Sequence, residues 1–466
     1  MPAEHAPRAV PQAVPPAVHG APARATVVVV NWNGAHLLPA CLDALLAQRT
    51  GAPYEVVVVD NASSDDSLAV LARYPSVRVV RNAANLGFAG GNNSALRGVT
   101  TPYAVLLNND ATPEPDWLER LLAPFEDPGA ERLAAVTSKV VFAPRFLALR
   151  LRTEGFSPGP HDPRDLGVRL AAVIVDGEDV TGRVLWERLT WGPEGEGAGR
   201  FFWSRPEGEM LVPLPEGGPG PWRVGVRWAA ERTKTATLAW DGGSDTAQVG
   251  PDPAEHVVEV TAPTVDVVNN AGSLVFSAGY GADRGFQEVD RGQYDEAADV
   301  FAACGAAVAF RTEAGREVGW FDDDFFLYYE DTDLSWRLHL AGWRIRYEPK
   351  AVVRHIHSAT SVEWSPRFVY HTDRNRLLML AKDATAVRAV REIGRYPLTT
   401  GSMALRAVRQ ALRDRARPPV RPTLMRLKVL SAFLLLLPDM LAKRAELTAG
   451  AVVPRSEVER ALVAGR

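Results

Sequence analysis

Two cysteines in 466 residues, Cys41 and Cys304, exclude a disulfide framework and suit a reducing, cytoplasmic compartment, where both read as small buried apolar residues. Also missing is any run of about 20 apolar residues able to span a bilayer. The nearest stretch, Val429 to Met440, is broken by Pro438. Residues 1–24 are rich in Ala and Pro and hold no uninterrupted apolar run, which reads as a disordered leader and not a secretory signal. Net charge is nearly absent at −4, so nothing calls for a nucleic-acid partner. That balance hides an asymmetry: Val387 to Arg466 holds 16 Lys/Arg against 6 Asp/Glu, +10 on the tail and −14 on the remainder. A basic tail on an acidic body points to an anionic surface or partner. The glycine spacing of a dinucleotide fingerprint is lacking too, since Gly87, Gly90 and Gly91 stand as Gly-x-x-Gly-Gly and do not follow the first strand.

What is present begins with 46% hydrophobic and 23% charged residues, an ordinary soluble globular composition for two or three domains. Ala25 to Val30 is β-branched and continuous, the pattern of a buried parallel strand, and Asn31-Trp32-Asn33-Gly34 follows as a loop. Strands over Tyr54 to Val59, Val77 to Val80 and Tyr103 to Leu107 alternate with helices over Leu37 to Gln48 and Ser67 to Arg73. This calls for a doubly wound α/β sheet, with ligands at the carboxyl ends of the strands. Asn31, Asp60, Asn85 and Asp110 stand at those ends. The Asn85 to Asn93 loop, with three glycines before a helix, would let backbone N–H groups approach a diphosphate.

The series Asn31-Trp32-Asn33-Gly34, Val59-Asp60-Asn61-Ala62-Ser63, Asn85-Leu86-Gly87-Phe88-Ala89-Gly90-Gly91-Asn92, Leu106-Leu107-Asn108-Asn109-Asp110 and Tyr329-Glu330-Asp331-Thr332-Asp333-Leu334 resembles family 2 glycosyltransferases, close to the rhamnosyltransferase-like branch. The resemblance covers roughly Ala25 to Val141 and Val265 to Thr360. It implies a glycosyltransferase-A mixed sheet with helices on both faces. It also implies an inverting, metal-dependent enzyme that moves a sugar from a nucleoside diphosphate, dTDP- or UDP-linked, to a hydroxyl of a glycan or lipid-linked glycan. By the same likeness Asn31, Asn33 and Asp60 contact the nucleotide, with Asp60 accepting from a pyrimidine ring N–H. Asn85, Gly87, Gly90 and Asn108 line the donor. Asn108-Asn109-Asp110 occupies the place of an Asp-x-Asp motif, so Asp110 is its single carboxylate. Asp110 and His355 would hold Mg²⁺ or Mn²⁺, with His357 the next ligand to consider. Asp331 would be the general base and Glu330 would orient the acceptor. Asp333 and Arg337, four apart on a helix, read as an internal ion pair. Asp322, Asp323 and Asp324 read as loop, and Cys304 as packing.

The remaining chain divides accordingly: residues 25–141 form the nucleotide-sugar-binding half and 265–382 the acceptor half. Between them, 142–264 alternate in short β-like segments separated by Gly, Pro and Asp turns, which calls for an antiparallel β-sandwich. Its Trp186, Trp191, Trp203, Trp222, Trp228 and Trp240 read chiefly as core. The basic tail, 383–466, combines arginines at three- to four-residue steps with the apolar Leu427 to Leu441, the pattern of a peripheral anchor on the inner face of the cell membrane. Two other readings follow from the residues: a binding protein with a degenerate transferase fold, suggested by Asn108, and a nucleotidyltransferase, which also uses an α/β sheet, a metal and a pyrimidine nucleotide.

Overall fold

The computed structural model describes residues 22–160, 162–195, 199–215, 220–356 and 365–465; most of the leader and His357 lie outside them. The chain forms two compact units, one of residues 1–141, 269–286 and 292–466, the other of 142–268 and 287–291.

The first unit starts with four parallel strands, β1 (Ala25–Asn31), β2 (Tyr54–Asp60), β3 (Arg78–Arg81) and β4 (Tyr103–Leu107). Helices α1 (Leu38–Leu46), α2 (Ser67–Leu71) and α3 (Gly87–Leu96) lie between them in the chain. The valines of β1 and β2 are buried on both faces, because Leu38, Leu42 and Leu45 of α1 cover one side and α3 lies against the other. In the β1–β2 register Asn31 stands beside Asp60, so two polar side chains meet where the apolar runs end. After β5 (Ala111–Pro113) and α4 (Trp117–Leu122), β6 (Leu133–Phe142) closes this half.

The second unit is a sandwich of two antiparallel sheets. Its strands are β7 (Phe146–Thr153), β8 (Arg169–Val175), β9 (Glu178–Asp179), β10 (Thr190–Glu194), β11 (Phe201–Ser204), β12 (Glu207–Pro213), β13 (Trp222–Ala229), β14 (Lys234–Trp240), β15 (Gly243–Val249) and β16 (Ala254–Val260). One sheet runs β10-β11-β8-β13-β16 and the other β12-β7-β14-β15. Trp186, Trp222 and Trp228 fill the core between them and Trp240 packs against it. Trp191 is open to solvent on its edge, with the Arg205 guanidinium 3.9 Å from its ring centroid. The unit runs beyond residue 264, because 266–268 pair with 287–290 through Gln287 N–H to Val268 O (2.9 Å) and Asp290 N–H to Asp266 O (2.8 Å).

The chain returns through β17 (Val268–Asn270), the hairpin β18 (Ser273–Val275) and β19 (Gly281–Asp283), and β20 (Ala298–Asp299). β21 (Ala307–Arg311) inserts antiparallel between β4 and β6. Then come α5 (Thr312–Glu317), α6 (Glu330–Leu340) and β22 (Arg344–His355). The sheet therefore runs β20-β22-β6-β21-β4-β1-β2-β3, with parallel and antiparallel pairs, the mixed sheet expected of a glycosyltransferase-A domain. Three helices follow, α7 (Pro366–Asp383), α8 (Ala386–Asp414) and α9 (Arg421–Gly450), and a short α10 (Arg455–Val458). Leu377 to Leu380 of α7 share a core with Trp336 of α6 and Val429, Phe433 and Met440 of α9. Among the described residues no helix is long and apolar enough to cross a membrane.

Candidate active site

Three loops meet at the carboxyl edge of the parallel strands, held by asparagines. Asn31 is fully buried: its Oδ1 accepts from Asn109 Nδ2 (2.8 Å) and its Nδ2 donates to Ser63 Oγ (3.3 Å). That departs from the expected nucleobase contact, since a side chain with both ends engaged inside the protein braces the loops instead. Asn33, at φ 50°, accepts from the Ser64 N–H (2.7 Å). Asp60 keeps one carboxylate oxygen on the Ser63 N–H (3.3 Å), while Oδ1 is buried with no donor among the described residues. A buried acceptor of this kind costs free energy until something donates to it.

The 85–91 segment has a different construction from a phosphate-wrapping loop. Asn61 Nδ2 donates to Asn85 Oδ1 (3.0 Å) and to Gly87 O (2.9 Å), and its Oδ1 accepts from the Leu86 N–H (3.0 Å). Gly87, at φ +73°, lies where a Cβ would strike the Phe326 carbonyl, which accepts from the Phe88 N–H (2.8 Å). Gly90 sits within α3 against Leu86, and Gly91 packs on Val30. So Gly90 serves close packing of the helix and not an open backbone cradle.

At the end of β4, Asn108 donates its N–H to Ala306 O (2.9 Å), and the chain turns so that Asp110 reaches His355, the last residue of β22. His355 Nε2 is 3.0 Å from Asp110 Oδ1. Its Nδ1 faces Asn269 Oδ1 at 3.2 Å, which places the ring proton on Nδ1, and Asn108 Nδ2 lies 3.4 Å from Nε2. The Nε2 lone pair thus points at a carboxylate oxygen, an arrangement that needs a proton or a cation between the two atoms. A divalent ion suits this donor set if a diphosphate and water supply its other ligands. Among the described residues no group of three His, Cys, Asp or Glu side chains gathers, and Asp110 and His355 are the pair found together here.

Asp331 lies on the first turn of α6. Its Oδ2 accepts from the Gly305 N–H (3.2 Å) and its Oδ1 from the Thr332 N–H (2.7 Å). Burial nonetheless pushes its carboxyl above the usual range, with Asp283 adding to the effect against those two hydrogen bonds. Gly305 and Ala306 join the two centres, one donating to Asp331 and the other accepting from Asn108. A Cβ at Gly305 would press on Phe88 and approach Asp331, so the small residue there lets its N–H sit close against the carboxylate. Glu330 is 5% exposed, with Oε2 lacking any donor among the described residues. Burial, then Asp331 beside it, pushes its carboxyl well above the ordinary range.

The turn that presents this acidic pair is unusual. Tyr328 and Tyr329 adopt φ 69° and 70°, a region that bulky residues avoid. Asn375 of α7, itself fully buried, holds the turn by donating to Leu327 O (2.9 Å) and Tyr328 O (2.7 Å). Sequence reasoning missed Asn61, Asn269 and Asn375 as positioning residues, because one asparagine in a loop or helix looks like another. Gly305 was legible only as part of a small-residue run.

The expected internal pair is present: Arg337 Nε donates to Asp333 Oδ2 (2.8 Å). Lys382 bridges Asp333 Oδ1 (2.5 Å) and Asp322 Oδ2 (2.6 Å), and Lys443 of α9 joins Asp322 and Asp324. Although burial opposes it, Lys382 and then Lys443 hold the Asp322 carboxyl well below its ordinary range. Asp323 pairs with Arg97 (2.7 Å). These three acids are therefore structural, and a cavity of about 640 Å³ opens among them, with neither Asp110 nor Asp331 in its lining. Burial pushes the Cys304 thiol far above its ordinary range, which leaves no nucleophile there.

Residues 26–163 match the model of glycosyl transferase family 2, and 260–375 match that of glycosyl transferase family group 2. Succinoglycan biosynthesis protein ExoO of Rhizobium meliloti is 33% identical over 119 residues, 25% of this chain and 34% of that protein. A pre-mycofactocin glycosyltransferase of Mycobacterium tuberculosis is 36% identical over 100 residues, 19% of this chain and 21% of its own length. An N-acetylglucosaminyl-diphospho-decaprenol L-rhamnosyltransferase of the same species is 44% identical over 62 residues, 13% of this chain and 20% of that one. The chain thus spans about a third or less of the curated relatives it matches. Among solved structures, GalNAc-T7 with UDP, GalNAc and Mn²⁺ overlays 77% of this chain and 48% of that chain at 13% identity and a TM-score of 0.43, too loose a likeness to argue from. With two family models that match residues 26–163 and 260–375, together more than half of the chain, and with the mixed sheet and motifs described above, the chain belongs to the family 2 glycosyltransferases.

Proposed function

We propose that the protein is an inverting glycosyltransferase that moves a sugar from a pyrimidine nucleoside diphosphate, UDP or dTDP, to a hydroxyl of a glycan or lipid-linked glycan. The observation that carries the reading is the shared Gly305-Ala306 connection, which links Asp331 to the Asn108–Asp110 turn on one side of the sheet. The unmatched Asp60 Oδ1 suits a ring N–H donor such as that of uracil or thymine, in keeping with a pyrimidine nucleotide. In the reaction the acceptor oxygen bonds to the anomeric carbon as its proton passes to the Asp331 carboxylate. The bond from that carbon to the phosphate oxygen breaks, and the nucleoside diphosphate leaves with the electron pair, inverting the configuration. The proton is lost late, so position matters more than basicity, and the upward shift of the Asp331 carboxyl makes its ionised form the stronger base. Asp110 and His355 would hold Mg²⁺ or Mn²⁺, which when bound neutralises charge on the diphosphate. Glu330, buried and with its carboxyl pushed well above the ordinary range, would act by orienting the Asp331 turn more than by touching the acceptor.

Likeness to the mycobacterial rhamnosyltransferase supports trying dTDP-rhamnose and a polyprenyl-diphosphate acceptor first. The test is product analysis with a panel of sugar nucleotides and Mg²⁺ or Mn²⁺. Release of nucleoside diphosphate is expected, and release of pyrophosphate would instead support a nucleotidyltransferase. Asp331→Asn should lower turnover by about 10²–10⁴-fold with nucleotide binding retained. Unchanged turnover in that variant would remove Asp331 from the chemistry.

A further inference from the structure

Helix α8 carries an apolar stripe on the side facing away from the protein. Ala389, Tyr396, Thr400 and Ala411 are buried, and they fall on one helical face. Val387, Leu398, Leu405 and Leu412 recur at steps of about two or three turns on the opposite face and are 79%, 74%, 50% and 75% exposed. Along one flank of that stripe stand Arg391, Arg395, Arg406, Arg409 and Arg413, all open to solvent. Helix α9 repeats the arrangement: Val429, Phe433 and Met440 point into the core, while Leu424, Leu434 and Leu435 are 59%, 55% and 79% exposed. The tail expectation placed the apolar contribution in α9 alone; in the structure α8 supplies its own, beside its arginines.

We propose that the outer face of α8 and α9 lies in the plane of an anionic lipid bilayer, with its leucines in the acyl boundary and its arginines on the lipid phosphates. The charge argues for this occupant. A second copy of the chain packing stripe against stripe would bring arginine rows together, whereas lipid phosphates neutralise them, and the long arginine stems reach from an apolar surface to headgroups. In-plane insertion needs a stripe only about 5–10 Å deep, which single leucine side chains satisfy. The proposal stands independently of the transferase reading.

The experiment is flotation of the full-length chain with vesicles of phosphatidylcholine, alone or mixed with phosphatidylglycerol, at low and high salt. Binding is expected to the anionic vesicles, weakened by salt and weak on neutral ones. The triple substitution Leu398→Glu, Leu405→Glu, Leu412→Glu should lower the bound fraction by about tenfold or more, with an unchanged circular dichroism spectrum. Arg406→Gln, Arg409→Gln, Arg413→Gln provides a second variant that leaves the apolar stripe intact and should abolish the preference for anionic lipid. Failure of the parent chain to float, or equal binding by parent and both variants, overturns the proposal. So does sedimentation showing a parent dimer that the leucine substitutions convert to monomer.

Discussion

Glu330 and Asp331 are sequence neighbours with different surroundings, and the difference sets what each does. Asp331 has two backbone donors, while Glu330 keeps an oxygen with none among the described residues and is pushed far toward its neutral form. A carboxyl whose pKa is raised by folding supports the fold while protonated, fully so below the unfolded value near 4.3, and that support is lost as pH rises through the folded value. Glu330→Gln should therefore gain stability relative to the parent as pH is raised from about 4 to 9, read as a growing difference in thermal midpoint. A constant difference across that range would show that Glu330 is not buried as a neutral acid. At this scale the places of Asp110 after a strand, Asp331 at a helix start and His355 at a strand end were legible from the apolar runs beside them, while their roles remain proposals. The bracing contacts of Asn31 were hidden because its identity says nothing of burial, and Asn269 was not singled out because its role depends on a ring nitrogen that comes near only through the fold.

The element that presents the acidic pair is the Tyr328-Tyr329 turn, two left-handed residues closed by one amide. Removing that amide in Asn375→Ala leaves two carbonyls without their donor and should cost about 2–3 kcal/mol in urea unfolding. The same change frees the start of α6, so turnover should fall by about 10²-fold with little change in nucleotide affinity. Turnover equal to the parent's would mean that the turn holds without Asn375. The strands β1, β2 and β4 were readable from their continuous apolar runs. β15 was not, since it is an edge strand with mostly exposed residues and a polar sequence. The facing of α8 also lay beyond reach, because a 3.6-residue period reveals a stripe but not which side of the helix the protein occupies.

Taken whole, the mixed-sheet unit does not end where the motifs end. Phe433 lies about a hundred residues past Asp331 in sequence, yet it is 2% exposed in the core that holds Trp336 of α6. Phe433→Ala should cost about 3–5 kcal/mol, measured by urea unfolding, and a cost under about 1 kcal/mol would show the tail to be detachable. This also tells against cutting the chain after Lys382 to test membrane binding, since such a cut strips the core along with the arginines. The ion-pair chain from Lys443 through Asp322 and Lys382 to Asp333 stops two residues from Asp331, the proposed base. A tail gripped by a surface would then act as the fixed end of a lever whose short arm is the first turn of α6, so mechanical load on the helices and alignment of the reacting groups would rise and fall together.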